Sequence, residues 1–260
     1  MEVHRLNKFT QIPYASDKAT AIVKCIHHAV GDGIKEATHG LKTQNGRNGT
    51  LWDIMNTELC GKMIILDCIA EKTKRGGNWE IVSVFDPVSG FICHVMREAR
   101  LGELLHAWSR GRELFHYARC SSSILNFGRK PKNEQLTLFD VEPSIQNTES
   151  IQKTAHKILS DLNVSVKDVK GHFIVAFESQ DYVLLTVRAV MYNDKDALVA
   201  EENWNKLIDV NESSIADNST DFSDASNNPS HGLELTGMAL KRKKGNLETK
   251  SFDIDQLDNA

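Results

Sequence analysis

Trp79-Glu80-Ile81-Val82-Ser83-Val84-Phe85-Asp86-Pro87-Val88-Ser89-Gly90-Phe91-Ile92-Cys93-His94-Val95-Met96 contains two apolar runs around a Pro-to-Gly break. Runs of strand length, rich in β-branched and aromatic residues and bounded by turn residues, read as a β-hairpin. A four-residue loop predicts that Val84 faces Cys93, Ser83 faces His94, Val82 faces Val95 and Glu80 faces Arg97. The opposite-charge pair at the open end supports this register, although such a pair contributes only about 0.2–1 kcal/mol. Upstream, Met63–Ala70 is a third apolar run, separated from the hairpin by Lys74-Arg75-Gly76-Gly77. Together they predict an antiparallel meander. Both of its faces carry apolar residues, so helices are expected on both.

On the N-terminal side, Ser16 is placed to cap a helix from Asp17, with Ile22, Val23, Ile26 and Val30 at helical spacing and a fade by Gly40. A polar loop, Thr43 to Gly49, precedes a short helix capped by Thr50, with Leu51, Trp52, Met55 and Leu59 on one side. After the meander, Leu101, Leu104, Leu105 and Trp108 read as helix, continuing through Leu114, Phe115 and Ala118 with Gly111 as a point of interruption. The polar stretch from Gly128 to Asn147, with Pro131 and Pro143, reads as a linker. Ile151, Ala155, Ile158, Leu159 and Leu162 then mark an amphipathic helix. His172–Glu178 and Tyr182–Tyr192 mark a hairpin around Ser179-Gln180-Asp181, and Ala197–Ile208 a closing helix. The expected fold is therefore α+β. A three-stranded antiparallel meander packed by helices occupies 1–127, a linker 128–147 and a smaller helix-hairpin-helix unit 148–210. A tail over 211–260, rich in Asn, Ser and Asp, is expected to be mostly disordered.

Composition narrows the classes. The chain of 260 residues is 40% hydrophobic and 25% charged, which suits a packed core. No apolar run approaches the roughly 18 residues of a membrane span, and Met1–Thr10 has no signal-peptide centre, so a cytoplasmic protein without membrane contact is expected. Five scattered cysteines without a CxxC pair suggest neither a disulfide framework nor a zinc site. Residues 1–132 hold 19 Lys+Arg against 13 Asp+Glu, and the remainder 12 against 22. A basic half points to a polyanionic partner.

Candidate chemistry is sparse. Asp86 followed by Glu98-Ala99-Arg100 imitates the metal-binding carboxylates of restriction-type nucleases. In the proposed hairpin the two acids are separated by roughly 20 Å of strand, whereas ligands of one ion each lie within about 2.6 Å of it. Arg112, His116 and Arg119 would form one stripe along a helix, with Lys130 shortly after, as a nucleic-acid contact; a solvated helix face reads the same way. His94 within a strand reads as a satisfied core histidine, and Ser121-Ser122-Ser123 lacks a nucleophile elbow. Neither a phosphate-binding loop nor a GxGxxG is present, and no cofactor or metal is expected. Lys241-Arg242-Lys243-Lys244 reads as solvated charge.

Two resemblances add to this. Gln135-Leu136-Thr137-Leu138-Phe139 resembles the pentapeptide by which bacterial replication and repair proteins engage the DNA sliding clamp. The resemblance implies that Gln135 bonds at the pocket rim while Leu138 and Phe139 fill apolar pockets beside Leu136. Packing of this segment on the first domain is the alternative. Arg47–Leu59, with Met96-Arg97-Glu98 and His116-Tyr117, resembles an uncharacterised family of bacterial proteins across most of the first 210 residues. That likeness implies a bacterial or phage-derived cytoplasmic protein and assigns no catalytic residue. Arg47, Asp53 and Asn56 could ring a pocket within it.

The resulting expectation is a bacterial binding or regulatory protein associated with nucleic acid or its machinery, with a toxin-antitoxin or phage-defence role as one setting. Two alternatives stand beside it. One is a hydrolase or nuclease assembled from dispersed residues such as His94, His116, Asp53 and Glu98, and the other is an adaptor that docks on the sliding clamp. Oligomeric state is left open.

Overall fold

Strand formation follows the apolar runs in the computed structural model, which describes residues 11–76, 79–110, 116–132 and 148–208. β1 spans Ile69–Gly76, β2 Trp79–Asp86 and β3 Phe91–Arg97; β4 spans Gly171–Gln180, β5 Val183–Tyr192 and β6 Leu198–Asn203. They form one six-stranded sheet in the order β1-β2-β3-β4-β5-β6. All neighbours are antiparallel except β3 and β4, which pair in parallel from Phe91↔Gly171 to Arg97↔Phe177. The expected three-stranded sheet is thus half of the observed one. The parallel pairing unites the meander with the second hairpin, and the described residues belong to one compact unit.

Alternation along the strands sends side chains to two cores. Val82, Val84, Cys93, Val95, Phe173 and Val175 meet one helical layer: α1 (Ser16–His28), a kink at Ala29–Gly33 where Gly31 leaves helical geometry, α2 (Ile34–Thr38) and α3 (Arg47–Ile65). Ile81, Phe85, Ile92, Met96 and Ile174 meet the other: α4 (Glu98–Ser109), α5 (Tyr117–Leu125) and α6 (Thr148–Asp161). Helices cover both faces, as the doubly apolar strands require.

Three boundaries differ from expectation. Met63 to Leu66 is not strand: Leu51, Met55, Leu59 and Met63 are all buried at four-residue spacing, so α3 runs on to Ile65. The same helix starts before Thr50, whose hydroxyl donates to the Gly46 carbonyl rather than capping. The closing helix expected over Ala197–Ile208 is instead β6 and a short 3-10 turn, Asn205–Leu207. The free edge of β5 captures this backbone, burying Val199, Ala200 and Trp204. The tail from 209 onward lies outside the described residues.

A cleft between splayed strands

The hairpin register is the expected one, with Val84↔Cys93, but the β2–β3 ladder holds only the pairs from Val84↔Cys93 to Asp86↔Phe91. One position beyond it, Ser83 Oγ and His94 Nε2 bond across the gap at 2.9 Å. Past that link β2 stays on β1 out to Gly76↔Trp79, while β3 stays on β4 out to Arg97↔Phe177. The strands therefore diverge, and a cleft of about 330 Å³ opens between them. The expected Glu80–Arg97 pair does not form: Glu80 pairs with Lys72 at 3.7 Å, and Arg97 donates to Asn48 Oδ1 at 3.3 Å.

The cleft is built from apolar strand, aromatic rings and arginine, with Glu80, Asn56 and His116 also on its walls. Val82, Val95 and Met96 line it, with Trp52 of α3, Trp79 of β2 and Tyr117 of α5. Trp79 is 48% exposed although it begins a central strand. Arg75, Arg97 and Arg100 enter from the ends of β1 and β3 and from the first turn of α4. Arg75 lies 4.5 Å over the Tyr117 ring. Burial draws the Arg75 guanidinium below its ordinary range, with repulsion from Arg100 adding to it. Arg97 is lowered in the same way, by burial and then by Arg47. Both remain cations at neutral pH, because a guanidinium does not deprotonate in proteins. Among the described residues no ion pair joins Arg47, Arg75 or Arg97 to a carboxylate, whereas Arg100 and Arg119 each have one and Arg188 has two.

A second, polar cavity of about 400 Å³ shares Arg97 with the first. Arg47 and Asn48 line it from the start of α3, and Gln180 and Tyr182 from the β4–β5 turn. Arg47 stacks 3.9 Å over the Tyr182 ring. Asp181 and Tyr182 both hold left-handed φ, 48° and 69°, as the two central residues of a type I′ hairpin turn do. Gly31, at the kink between α1 and α2, neighbours this turn: a Cβ there would make ordinary contact with the Tyr182 carbonyl, at 3.5 Å.

The residues singled out from sequence are distributed differently. Arg112 lies outside the described residues, as do Gln135, Leu136, Leu138 and Phe139. His116 and Arg119 do not share a helical stripe, because His116 is the extended N-cap of α5, its Nδ1 accepting from the Ala118 N–H at 3.3 Å. Burial, followed by Arg75, Arg100 and His94, brings the His116 pKa down to about 3, so it lines the cleft as a neutral ring. Arg119 grips Asp196 with two bonds, of 3.1 and 2.8 Å, and covers Trp108. Lys130 is exposed beyond α5. Arg47 lines the polar cavity and Asn56 the arginine cleft, while Asp53 is exposed and lines neither.

Among the dispersed catalytic candidates His94 and His116 both pack against Tyr117, but each bonds elsewhere. His94 is wholly buried in a chain running Ser83–His94–His172–Ser122, with links of 2.9, 2.8 and 2.9 Å. Burial, with repulsion from Arg75, lowers its pKa to about 3. Glu98 is held by Arg188 through bonds of 2.9 and 2.5 Å. At the other end of β3, Asp86 accepts from Lys18 at 2.6 Å and from the Val88 and Ser89 N–H groups. The two carboxylates of the nuclease imitation thus serve different cations. Among the described residues no cluster of three or more His, Cys, Asp or Glu could hold a metal ion, and no helix is long and apolar enough to cross a membrane.

In the sequence Arg75 reads as a turn residue and Arg97 as a hairpin pair with Glu80, not as site residues, yet the meander contains their signal. In an up-down-up arrangement the ends of β1 and β3 lie at the same edge, on either side of the start of β2. A model of a family of unknown function, DUF5986, matches residues 11–252. No curated protein and no solved structure matches the chain.

Proposed function

We propose that this chain, which belongs to the family of unknown function DUF5986, binds single-stranded nucleic acid in the cleft between β2 and β3. The observation that carries the reading is the pair Arg75 and Arg97, which line the cleft beside its aromatic walls and are held by a ring and an amide rather than, among the described residues, by carboxylates. Arg97 is partly buried, and a guanidinium withdrawn from water without an anion loses hydration and gains little in return; a phosphate restores that loss through two parallel bonds. The aromatic faces suit the other half of a nucleotide. Bases stack on Trp and Tyr for about 1–3 kcal/mol each, and they can do so only when unpaired. A volume of about 330 Å³ falls at the lower end of small-ligand sites and is too narrow for a duplex to enter.

The test is fluorescence anisotropy with a labelled single strand of about ten nucleotides, as DNA and as RNA, beside a duplex of the same sequence. The reading expects single-strand binding at low salt that weakens steeply as salt rises. Absence of single-strand binding at low salt, or equal binding of the duplex, overturns it.

A further inference from the structure

Arg97 is the common wall of the two cavities, since it lines both the aromatic cleft and the polar cavity. Arg47 stands on the polar side and Arg75 on the aromatic side, each over a tyrosine ring. Aromatic side chains therefore line the cavities on both sides of one guanidinium, the order of features that a phosphodiester with a nucleoside at each end would meet.

We infer that the site reads at least two consecutive nucleotides, with one base in the Trp52–Trp79–Tyr117 cleft, the linking phosphate at Arg97 and the next nucleoside over Tyr182 and Arg47. This rests on the cleft being a single-strand site and adds where the strand goes next. Three observations carry it. Arg47 and Arg97 repel each other, and one phosphate between them relieves both. The polar cavity presents the amides of Asn48 and Gln180 and the carboxylate of Asp181, which can bond a base or sugar edge, whereas the cleft presents mainly apolar strand. Tyr182 is held in a left-handed conformation that a bulky residue seldom adopts, and the ring it projects is the one Arg47 covers. A turn chosen for stability alone would place glycine there; a ring retained at that position is explained by stacking.

The experiment compares a nucleoside 5′-monophosphate, a dinucleotide and a pentanucleotide of one base, in DNA and RNA forms, by calorimetric titration of the full chain. Joining two subsites through one phosphate makes occupation of the second intramolecular, so the dinucleotide should bind at least about tenfold tighter than the mononucleotide. Tyr182→Gly should bring the dinucleotide back to mononucleotide affinity while leaving the mononucleotide unchanged, and glycine suits the left-handed backbone, so the turn survives. A mononucleotide that binds as tightly as the dinucleotide overturns the inference but leaves the single-strand reading intact. Equal weakening of both ligands by Tyr182→Gly also overturns it. Failure of all three ligands to bind refutes the cleft reading itself.

Discussion

Trp79 and the buried histidines show how residues of similar type serve opposite ends. Trp79 starts a central strand yet remains half exposed, because the neighbouring strand has turned away from it. Trp79→Ala is expected to weaken single-strand binding by about 1–3 kcal/mol, the value of one stacked base. Its melting temperature should stay within about two degrees of the parent, as mutations at exposed sites stay within about 0.5 kcal/mol. Titration beside a thermal melt checks both. His94, His172 and His116 work inside the fold instead. Burial lowers all three pKa values, to about 3 for His94 and His116. An unfolded imidazole takes up its proton as pH falls through about 6.5, so below that value the unfolded chain binds more protons than the native one. Stability is therefore fully present above about pH 6.5 and declines as pH falls toward the folded values, by about 1.4 kcal/mol per pH unit for each imidazole. Urea denaturation at several pH values from neutral to mildly acidic should show this decline, and His94→Gln should make it shallower. An unchanged slope in that variant would show that His94 is not titrating between the two states.

At the scale of elements, α3 and α6 end alike. Asp67 and Asn163 hold left-handed φ of 59° and 53°. Around them Cys68 N–H donates to the Met63 carbonyl, Asp67 to Ile64, Val164 to Leu159 and Asn163 to Ser160. These are the paired bonds of the Schellman ending, whose central position favours glycine. Asp67→Gly and Asn163→Gly are each expected to be neutral or to stabilise by up to about 1 kcal/mol, and valine at either position to destabilise by a similar amount or more. Thermal melts of the four variants test the sign. These endings also explain what could be read in advance. The strand runs of the hairpin and the periodicity of Ile151 to Leu162 are local patterns, so β2, β3 and α6 were legible. Met63-Ile64-Ile65-Leu66 has strand-like composition, and only the burial of Met63 on the α3 stripe decides for helix. Ala197 to Ile208 favours helix by propensity, but an open sheet edge outweighs propensity.

At the scale of the whole molecule, the parallel β3–β4 pairing joins residues about eighty positions apart, and no local pattern announces it. The same long-range closure gathers Arg47, Arg75, Arg97 and Arg100 from α3, β1, β3 and α4. Sequence spacing favoured Arg112, His116 and Arg119 because they lie close along the chain. Folding turns His116 into a helix cap and commits Arg119 to Asp196, leaving the arginines at the strand ends without carboxylates. The excess of basic residues in the first half was visible; which of them face an anion depends on where β2 and β3 part. The salt dependence of single-strand affinity, measured on the native protein and on an Arg75→Gln, Arg97→Gln double variant, tests this most directly. Each phosphate contact with a single strand adds about 0.7 to the slope of log affinity against log salt. The double variant should bind far more weakly at low salt, with its slope reduced by about 1.4. Equal affinity and an unchanged slope in the two proteins would contradict the account.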